Sequence, residues 1–186
     1  TKGMTEKAAI ELFEEIENFA TYCFNKAHSS AYAFVAYQTA YLKAHYNTEF
    51  MCAMLTSVSD KQEKTQQYIL QCQAQGIEVL APDIDKSNAQ FTPDGNKIRF
   101  GLASIKNVGE AVIEEIEKER KNKPFESFYD FCSRVDSKCL NKRTLESLIK
   151  VGAFSNIEKS RKQLLNNIDS VVEFVQNTNK SKSSGI

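Results

Sequence analysis

Residues 22 to 46 read Tyr-Cys-Phe-Asn-Lys-Ala-His-Ser-Ser-Ala-Tyr-Ala-Phe-Val-Ala-Tyr-Gln-Thr-Ala-Tyr-Leu-Lys-Ala-His-Tyr. Apolar and aromatic residues recur at steps of three and four from Tyr32 to Leu42, and no Gly or Pro interrupts residues 27 to 46. This spacing predicts a helix, with Ser29 and Ser30 as candidate N-caps. The stretch therefore predicts a polar loop that leads into an aromatic-rich helix.

Asn25, Lys26 and His28 lie in that predicted loop. A cation and two hydrogen-bonding side chains beside the free N–H groups of a helix start suit a phosphate or a base. A solvated turn is the alternative interpretation. For the tyrosines of the helix, the alternative to a binding role is ordinary packing in a core. The residues alone leave these alternatives open.

The strings Phe24-Asn-Lys-Ala-His-Ser-Ser-Ala-Tyr-Ala and Tyr37-Gln-Thr-Ala-Tyr-Leu-Lys-Ala-His-Tyr closely resemble the fingers segment of bacterial C-family replicative DNA polymerases. The resemblance continues through Phe100-Gly-Leu-Ala-Ser-Ile-Lys-Asn-Val-Gly-Glu-Ala and through Leu140-Asn-Lys-Arg-Thr-Leu-Glu-Ser-Leu-Ile-Lys-Val-Gly-Ala-Phe. It covers roughly residues 4 to 175 in collinear order. One departure is Ala27, where the family usually has serine.

The resemblance implies a template-directed DNA polymerase in which Asn25, Lys26 and His28 lie near the nascent base pair or the nucleoside triphosphate. Polymerases of this kind use Mg²⁺ held by carboxylates of the palm domain, and no matching Asp-x-Asp cluster occurs here. The nearest pair, Asp83 and Asp85, is interpreted as a turn or capping pair. We therefore expect no catalytic residue and no metal site in this chain, with Mg²⁺ bound elsewhere in the parent enzyme.

The implied partners follow from the same family. They are primer-template DNA and deoxynucleoside triphosphates, and, through the parent protein, the sliding clamp and other replisome subunits. The alternative function is a stand-alone, non-catalytic helix-hairpin-helix DNA-binding or scaffold protein. We favour a fragment of the polymerase, because Thr1 is not a natural start.

Residues 105 to 111, Ile-Lys-Asn-Val-Gly-Glu-Ala, fit the apolar-Gly-apolar-Gly turn of a helix-hairpin-helix, with Asn107 in the first glycine position. Such a turn exposes backbone N–H groups that hold a DNA phosphate without reading sequence. Asn accepts the left-handed conformation better than most non-glycine residues. Lys106, Asn107, Val108 and Gly109 are therefore candidate DNA-binding residues, and a plain connection between helices is the alternative.

Residues 138 to 143, Lys-Cys-Leu-Asn-Lys-Arg, place three cations at the start of a later helix. Val151-Gly-Ala-Phe makes a second hairpin after that helix. The pair resembles the tandem helix-hairpin-helix that opens the clamp-binding region of the same polymerases. We expect the first hairpin to contribute more than the second, and a solvated cationic face is the alternative for the basic residues. The candidate DNA contacts in this segment are Lys138, Asn141, Lys142 and Arg143.

The predicted fold is mainly α, with a helical fingers block, a short β-hairpin connection and a helix-hairpin-helix domain. The expected parts are residues 1–80 for the fingers, 81–101 for the connection around Pro93-Asp-Gly-Asn, 102–176 for the hairpin domain and 177–186 for a disordered linker. Helices are predicted at residues 5–20, 29–45, 48–58, 60–75, 107–122, 125–134, 141–150 and 160–177.

Composition excludes several classes of protein. Lys plus Arg and Asp plus Glu balance at 24 each, so any nucleic-acid contact must come from a local patch rather than from a global cationic field. Five scattered cysteines without a Cys-x-x-Cys pair, and only two histidines, indicate reduced thiols and argue against zinc. We find no signal peptide and no membrane-spanning run, and we expect a soluble, cytoplasmic protein with no membrane partner.

Overall fold

A computed structural model describes residues 3–22, 26–136 and 140–183, without the side chains at 21, 22, 176 and 178–183. Asn25 and Lys138, two predicted contact residues, lie outside the described residues. The described chain contains eight α-helices and one three-stranded sheet, which confirms the mainly α fold class. Packing divides the chain into two compact units, residues 1–47 and 48–186. The boundary between these two units falls at residue 47, and the predicted end of the fingers block at residue 80 stays a prediction.

The first unit contains α1 (Glu6–Tyr22) and α2 (Lys26–His45). The N–H of Ala8 donates to the Thr5 hydroxyl at 3.3 Å, which confirms Thr5 as the cap of α1. Leu12, Phe13, Ile16 and Phe19 form an apolar stripe on α1, and all of them are exposed. No residue of α2 is buried. Core packing of the α2 tyrosines, one of the two interpretations of the sequence, therefore does not occur within the described residues.

The start of α2 differs from the prediction. The helix begins at Lys26, so Lys26 and His28 lie in its first turn rather than in a loop, and Ser29 and Ser30 are inside the helix rather than caps. Lys and Ala are good helix formers, and no Gly or Pro stops the helix from extending toward residue 26. The ring of His28 also packs against Tyr32 one turn later, with 4.3 Å between ring centroids and 45° between the ring planes.

The second unit begins with α3 (Asn47–Ser57) and α4 (Gln62–Ala74), followed by β1 (Val79–Leu80), β2 (Thr92–Asp94) and β3 (Lys97–Arg99). Gly76 has φ +75°, which confirms it as the terminator of α4. The sheet order is β1-β3-β2, with β1 parallel and β2 antiparallel to β3. The reversal is formed by residues 95 and 96, while Pro93, predicted in the turn, lies in the edge strand β2, where its missing N–H is tolerated.

The sequence predicted the hairpin as a connection between two domains. In the structure, the hairpin packs into a core of the second unit. Phe91 and Ile98 from the hairpin are buried in one core with Met51 and Leu55 of α3. Phe100, directly after β3, packs against this core and also against the core of the following helices. The segment 81–101 therefore joins two cores within one unit.

The second core is built by the remaining helices around an aromatic cluster. Phe154 packs edge-on against Phe128 and Phe131, with centroid distances of 5.1 and 5.0 Å. Phe131 packs in the same way on Phe125, and the Arg134 guanidinium lies 4.6 Å from the Phe125 ring centroid. The elements that form this core are the short 3-10 helix Leu102–Ser104, α5 (Glu110–Asn122), α6 (Phe128–Arg134), α7 (Lys142–Val151) and α8 (Arg161–Ser183).

The end of α8 also differs from the prediction, since the helix extends to Ser183 although disorder was expected from residue 177. Residues 177 to 183 are polar, yet no Gly or Pro occurs among them to end the helix. Within the three described ranges, no helix is both long enough and apolar enough to cross a membrane.

We expect Phe154→Ala to lower the free energy of unfolding of the second unit by about 3 to 5 kcal/mol, because the side chain is 1% exposed and supports two other rings. Phe174→Ala is the matched control, since Phe174 on α8 is 58% exposed, and it should cost less than about 1 kcal/mol. Urea unfolding followed by circular dichroism measures both values. Equal losses in the two variants would contradict the assignment of Phe154 to the centre of the core.

Candidate nucleic-acid interface

The first hairpin is anchored by its apolar residues and turned by Asn107. Ile105 and Val108 are buried in the second core, at 4% and 8% exposure. Asn107 has φ +64°, so it takes the left-handed conformation predicted for the first glycine position. Gly109 follows as the N-cap of α5 in an extended conformation. The sequence Ile-Lys-Asn-Val-Gly therefore forms a tight turn that directs the chain into α5.

Asn107 fastens this turn to α7. The buried hydroxyl of Thr144 donates to the carbonyl oxygen of Asn107 at 2.7 Å. The side-chain amide of Asn107 donates to the Ser147 hydroxyl at 3.1 Å. The structure thereby brings together the two regions predicted separately as DNA contacts, the turn at residues 106–109 and the start of α7.

Several polar groups at this junction have no partner within the described part of the chain. The N–H groups of residues 109 to 111 have no acceptor there, as is usual for the first turn of a helix. A Cβ added at Gly109 would meet no atom within 4 Å, so the turn is open at that position. Lys106 next to the turn is exposed. The turn therefore presents backbone donors and one cation to solvent.

The N-terminus of α7 is basic and well capped. The Asn141 side chain accepts a hydrogen bond from the N–H of Thr144 at 2.9 Å. Lys142 and Arg143 follow in the first turn, which contains no acidic residue. Arg143 is exposed, whereas Lys142 donates to Asp169 of α8 at 2.7 Å, and this hydrogen bond raises the pKa of Lys142 above its usual range. Arg143 is therefore more available to an anion than Lys142.

The N-terminus of α5 has the opposite charge. Glu110 lies in its first turn, and Glu114 and Glu117 follow on the same face. These three side chains line one side of a cleft of about 590 Å³, whose other walls include Thr56, Ser59 and Gln90. Because the cleft is lined by carboxylates, it is a poor site for a phosphate. The cations of this candidate interface therefore lie at the turn and at the start of α7, and not at the start of α5.

In the second hairpin, at residues 151–154, backbone groups form hydrogen bonds to other residues of the protein. The N–H of Gly152 donates to Ile149 and that of Ala153 to Leu148, each at 3.0 Å. The carbonyl of Ala153 accepts from the N–H of Ile84 at 2.9 Å. Gly152 has φ +85°, and Phe154 is buried. The backbone groups of this hairpin therefore support the core and the segment after β1.

In the first unit, Lys26 and His28 lie in the first turn of α2, which contains no acidic residue. Both side chains are exposed. The positive end of the helix dipole and the Lys26 ammonium lie at the same end of α2, so an anion is favoured there. Asn25, the third member of the predicted cluster, is outside the described residues.

Asp83 and Asp85 act as the predicted turn and capping pair. The N–H of Asp85 donates to Asp83 Oδ1, and the N–H of Phe125 donates to Asp85 Oδ1, each at 2.9 Å. Asn156 also donates to the Asp83 carboxylate. Among the residues that the structure describes, no cluster of three His, Cys, Asp or Glu side chains is arranged to hold a metal ion.

The described cysteines do not form a nucleophilic site. Cys52, Cys72 and Cys132 are free thiols, and all three are buried. Burial, with smaller effects from Cys72 and Glu49, raises the pKa of the Cys52 thiol to about 12. Burial alone raises the pKa of Cys132 to about 12. These thiols therefore stay protonated and unreactive at neutral pH.

Thr144 and Ser147 were missed from the sequence as part of the interface. They contact a residue 37 and 40 positions away, respectively. The only signal in the sequence is that two small polar residues lie one turn apart, next to the apolar positions Leu145 and Leu148.

The two hairpin glycines should respond differently to alanine. Gly152→Ala should lower the free energy of unfolding by about 1 to 2 kcal/mol, because φ is +85° and an added Cβ lies 2.5 Å from Arg161 Nη2. The arginine can move, so most of this loss comes from the backbone. Gly109→Ala should change stability by less than about 0.5 kcal/mol, because φ is −88° and the space is open. Urea unfolding tests both, and a large loss at Gly109 would contradict the turn geometry.

A family model described as a helix-hairpin-helix motif matches residues 76–164. The chain is also similar to DNA polymerase III subunit alpha from three bacteria. Identity is 46% to the protein of Neisseria meningitidis over 90% of the chain, 44% to that of Borreliella burgdorferi over 99%, and 42% to that of Bacillus subtilis over 94%.

The chain spans 15 to 16% of the length of these relatives. The similarity extends over both units and agrees with the resemblance seen in residues 22–46 and 100–154. The chain therefore belongs to the family of bacterial DNA polymerase III alpha subunits, of which it forms a segment.

Proposed function

We propose that this chain is part of a DNA-directed DNA polymerase, in which it contributes fingers contacts to the nucleotide or template and a sequence-independent grip on duplex DNA. The observation that carries the proposal is the collinear similarity to the polymerase alpha subunits over 90 to 99% of the chain. Because each of these relatives is a polymerase subunit, we favour this function over a stand-alone scaffold protein.

The grip on duplex DNA is assigned to the first hairpin and the start of α7. The exposed N–H groups of residues 109–111 can donate to phosphate oxygens, and Lys106 and Arg143 can supply positive charge. Asn107 and Val108 act mainly by shaping the turn, and Asn141 by capping α7. Contacts of this kind touch only the DNA backbone, so they hold any duplex sequence.

The fingers contact is assigned to the first turn of α2. Lys26 would attract the triphosphate, and Asn25 and His28 would donate hydrogen bonds to a phosphate or a base. The support for this proposal is the absence of acidic residues from the first turn of α2, together with the exposure of Lys26 and His28.

The chemistry of nucleotide transfer would use a divalent metal, for which we propose Mg²⁺. Asp83 and Asp85 do not fit such a site, because their carboxylates accept backbone hydrogen bonds, and the described residues contain no group of three His, Cys, Asp or Glu side chains placed to hold a metal ion. We therefore propose that the metal is held by another part of the full-length polymerase. In that context the protein would be cytoplasmic and would contact the sliding clamp and other replisome subunits.

The DNA grip can be tested with this chain alone. We expect it to bind a primer-template duplex with an affinity that falls as salt rises, because phosphate contacts release counterions. Lys106→Ala and Arg143→Ala should each weaken binding and reduce the slope of log affinity against log salt by about 0.9. Gly109→Ala should also weaken binding, because its methyl group would stand where a phosphate approaches. Fluorescence anisotropy across a salt series measures all of these.

Lys64→Ala is the matched control for the DNA measurements. Lys64 is an exposed lysine on α4, which packs on the other core of the second unit. Its replacement should leave affinity and salt slope unchanged. If Lys64→Ala weakened binding as much as Lys106→Ala, binding would depend on overall charge and not on the hairpin.

The fingers contact must be tested in the full-length polymerase that carries this segment. Lys26→Ala should raise the KM for the incoming nucleotide by about tenfold, since a charge-assisted hydrogen bond is lost. Lys43→Ala, in the last turn of the same helix, is the control and should leave KM unchanged. Steady-state primer extension gives both values. Unchanged KM and kcat in Lys26→Ala and His28→Ala would remove these residues from the nucleotide site.

A further inference from the structure

We infer that Thr144 and Ser147 are positioning residues for DNA binding, because they hold the first hairpin turn against α7 and make the two elements one phosphate-binding surface. The inference rests on the proposed function of this face as a DNA grip. It goes further, because neither residue was a candidate contact and neither is expected to touch DNA.

The first step is the geometry of the attachment. The carbonyl of Asn107 accepts from Thr144 at 2.7 Å, and the Asn107 side chain donates to Ser147 at 3.1 Å. The left-handed residue of the turn is thus held at both its backbone and its side chain. Thr144 is 1% exposed, so its hydroxyl is shielded from competing water.

The second step is what a glycine would do at the same place. Glycine at position 107 would allow φ +64° without strain, but it could not donate to Ser147. Glycine also leaves the chain with more freedom to lose on binding. The chain has asparagine there, which accepts the left-handed conformation and adds a hydrogen bond. Asparagine, compared with glycine at this position, favours a turn that is already ordered before DNA binds.

The third step is the position of the charges. Lys106 precedes Asn107 in the sequence, and Arg143 precedes Thr144. Because Thr144 bonds directly to Asn107, each of the two exposed cations is the neighbour in sequence of one partner of this hydrogen bond. If the junction loosens, the turn donors and Lys106 lose their fixed position relative to Arg143. The affinity gained from a pre-ordered surface would then be lost.

The test uses Thr144→Val, which keeps the shape of the side chain and removes the hydroxyl. We expect a three- to tenfold loss of affinity for a primer-template duplex, of about the size of one net hydrogen bond. Thr144→Ser keeps the hydroxyl and should restore most of the affinity. Ser147→Ala, at a half-buried position that tolerates truncation, should weaken binding in the same direction.

Thr65→Val is the matched control. Thr65 is also buried, and its hydroxyl donates to the carbonyl of Val58 at 3.0 Å, but it lies in α4 rather than near the hairpin. Both valine variants should lose similar stability, and only Thr144→Val should lose DNA affinity. A second readout is the loss of DNA affinity caused by Lys106→Ala. This loss should be smaller in the Thr144→Val background, because the turn that carries Lys106 would already have lost its fixed position there.

The outcomes separate this inference from the proposed function. If Lys106→Ala weakens binding but Thr144→Val and Ser147→Ala do not, the grip exists and the positioning role is wrong. Equal affinity losses in Thr65→Val and Thr144→Val, or no rescue by Thr144→Ser, would also overturn it. If the unaltered chain shows no salt-dependent binding, the proposed grip fails, and the positioning role fails with it.

Discussion

The arrangement of the interface depends on the apolar core that α5 and α7 share. Ile113 and Ile116 of α5 are buried in the same cluster as Leu145 and Leu148 of α7. A core packed at the density of an organic crystal does not let either helix rotate without losing contacts. The start of each helix is therefore fixed relative to the other, and only then can Thr144 reach the Asn107 carbonyl. The hydrogen bonds of the hairpin refine a position that hydrophobic burial has already set.

Near the first hairpin, local charges and not the net charge of the chain determine where an anion is favoured. The chain has a formal net charge of zero, and the Debye length is about 8 Å at physiological ionic strength, so a phosphate responds only to the charges beside it. There α5 begins with Glu110, whereas α7 begins with Lys142 and Arg143. The two helix starts that are joined by the hydrogen bond from Thr144 to Asn107 thus carry opposite charges. In the proposed DNA grip, such a surface would hold a duplex through a few contacts near the two helix starts.

The sequence predicted features that arise from local chemistry, and it failed where distant contacts decide. Helical patterns with start and stop signals located the eight helices of the described residues, and conformational preference identified Gly76 and Asn107. The unit boundary at residue 47 could not be predicted, because it follows from burial of Phe91 and Ile98 against α3 and α4. The hydrogen bond from Thr144 to Asn107 could not be predicted either, since a single sequence does not reveal a contact between residues 37 positions apart.

The two units differ in what they need in order to keep their structure. The second unit buries two cores of its own, whereas α2 buries no residue and exposes Tyr32, Tyr37 and Tyr41. Helices of this length are marginal in water unless an apolar face is packed. Packing within the second unit therefore supports the hairpin through Ile105 and Val108, whereas no buried residue supports the first turn of α2.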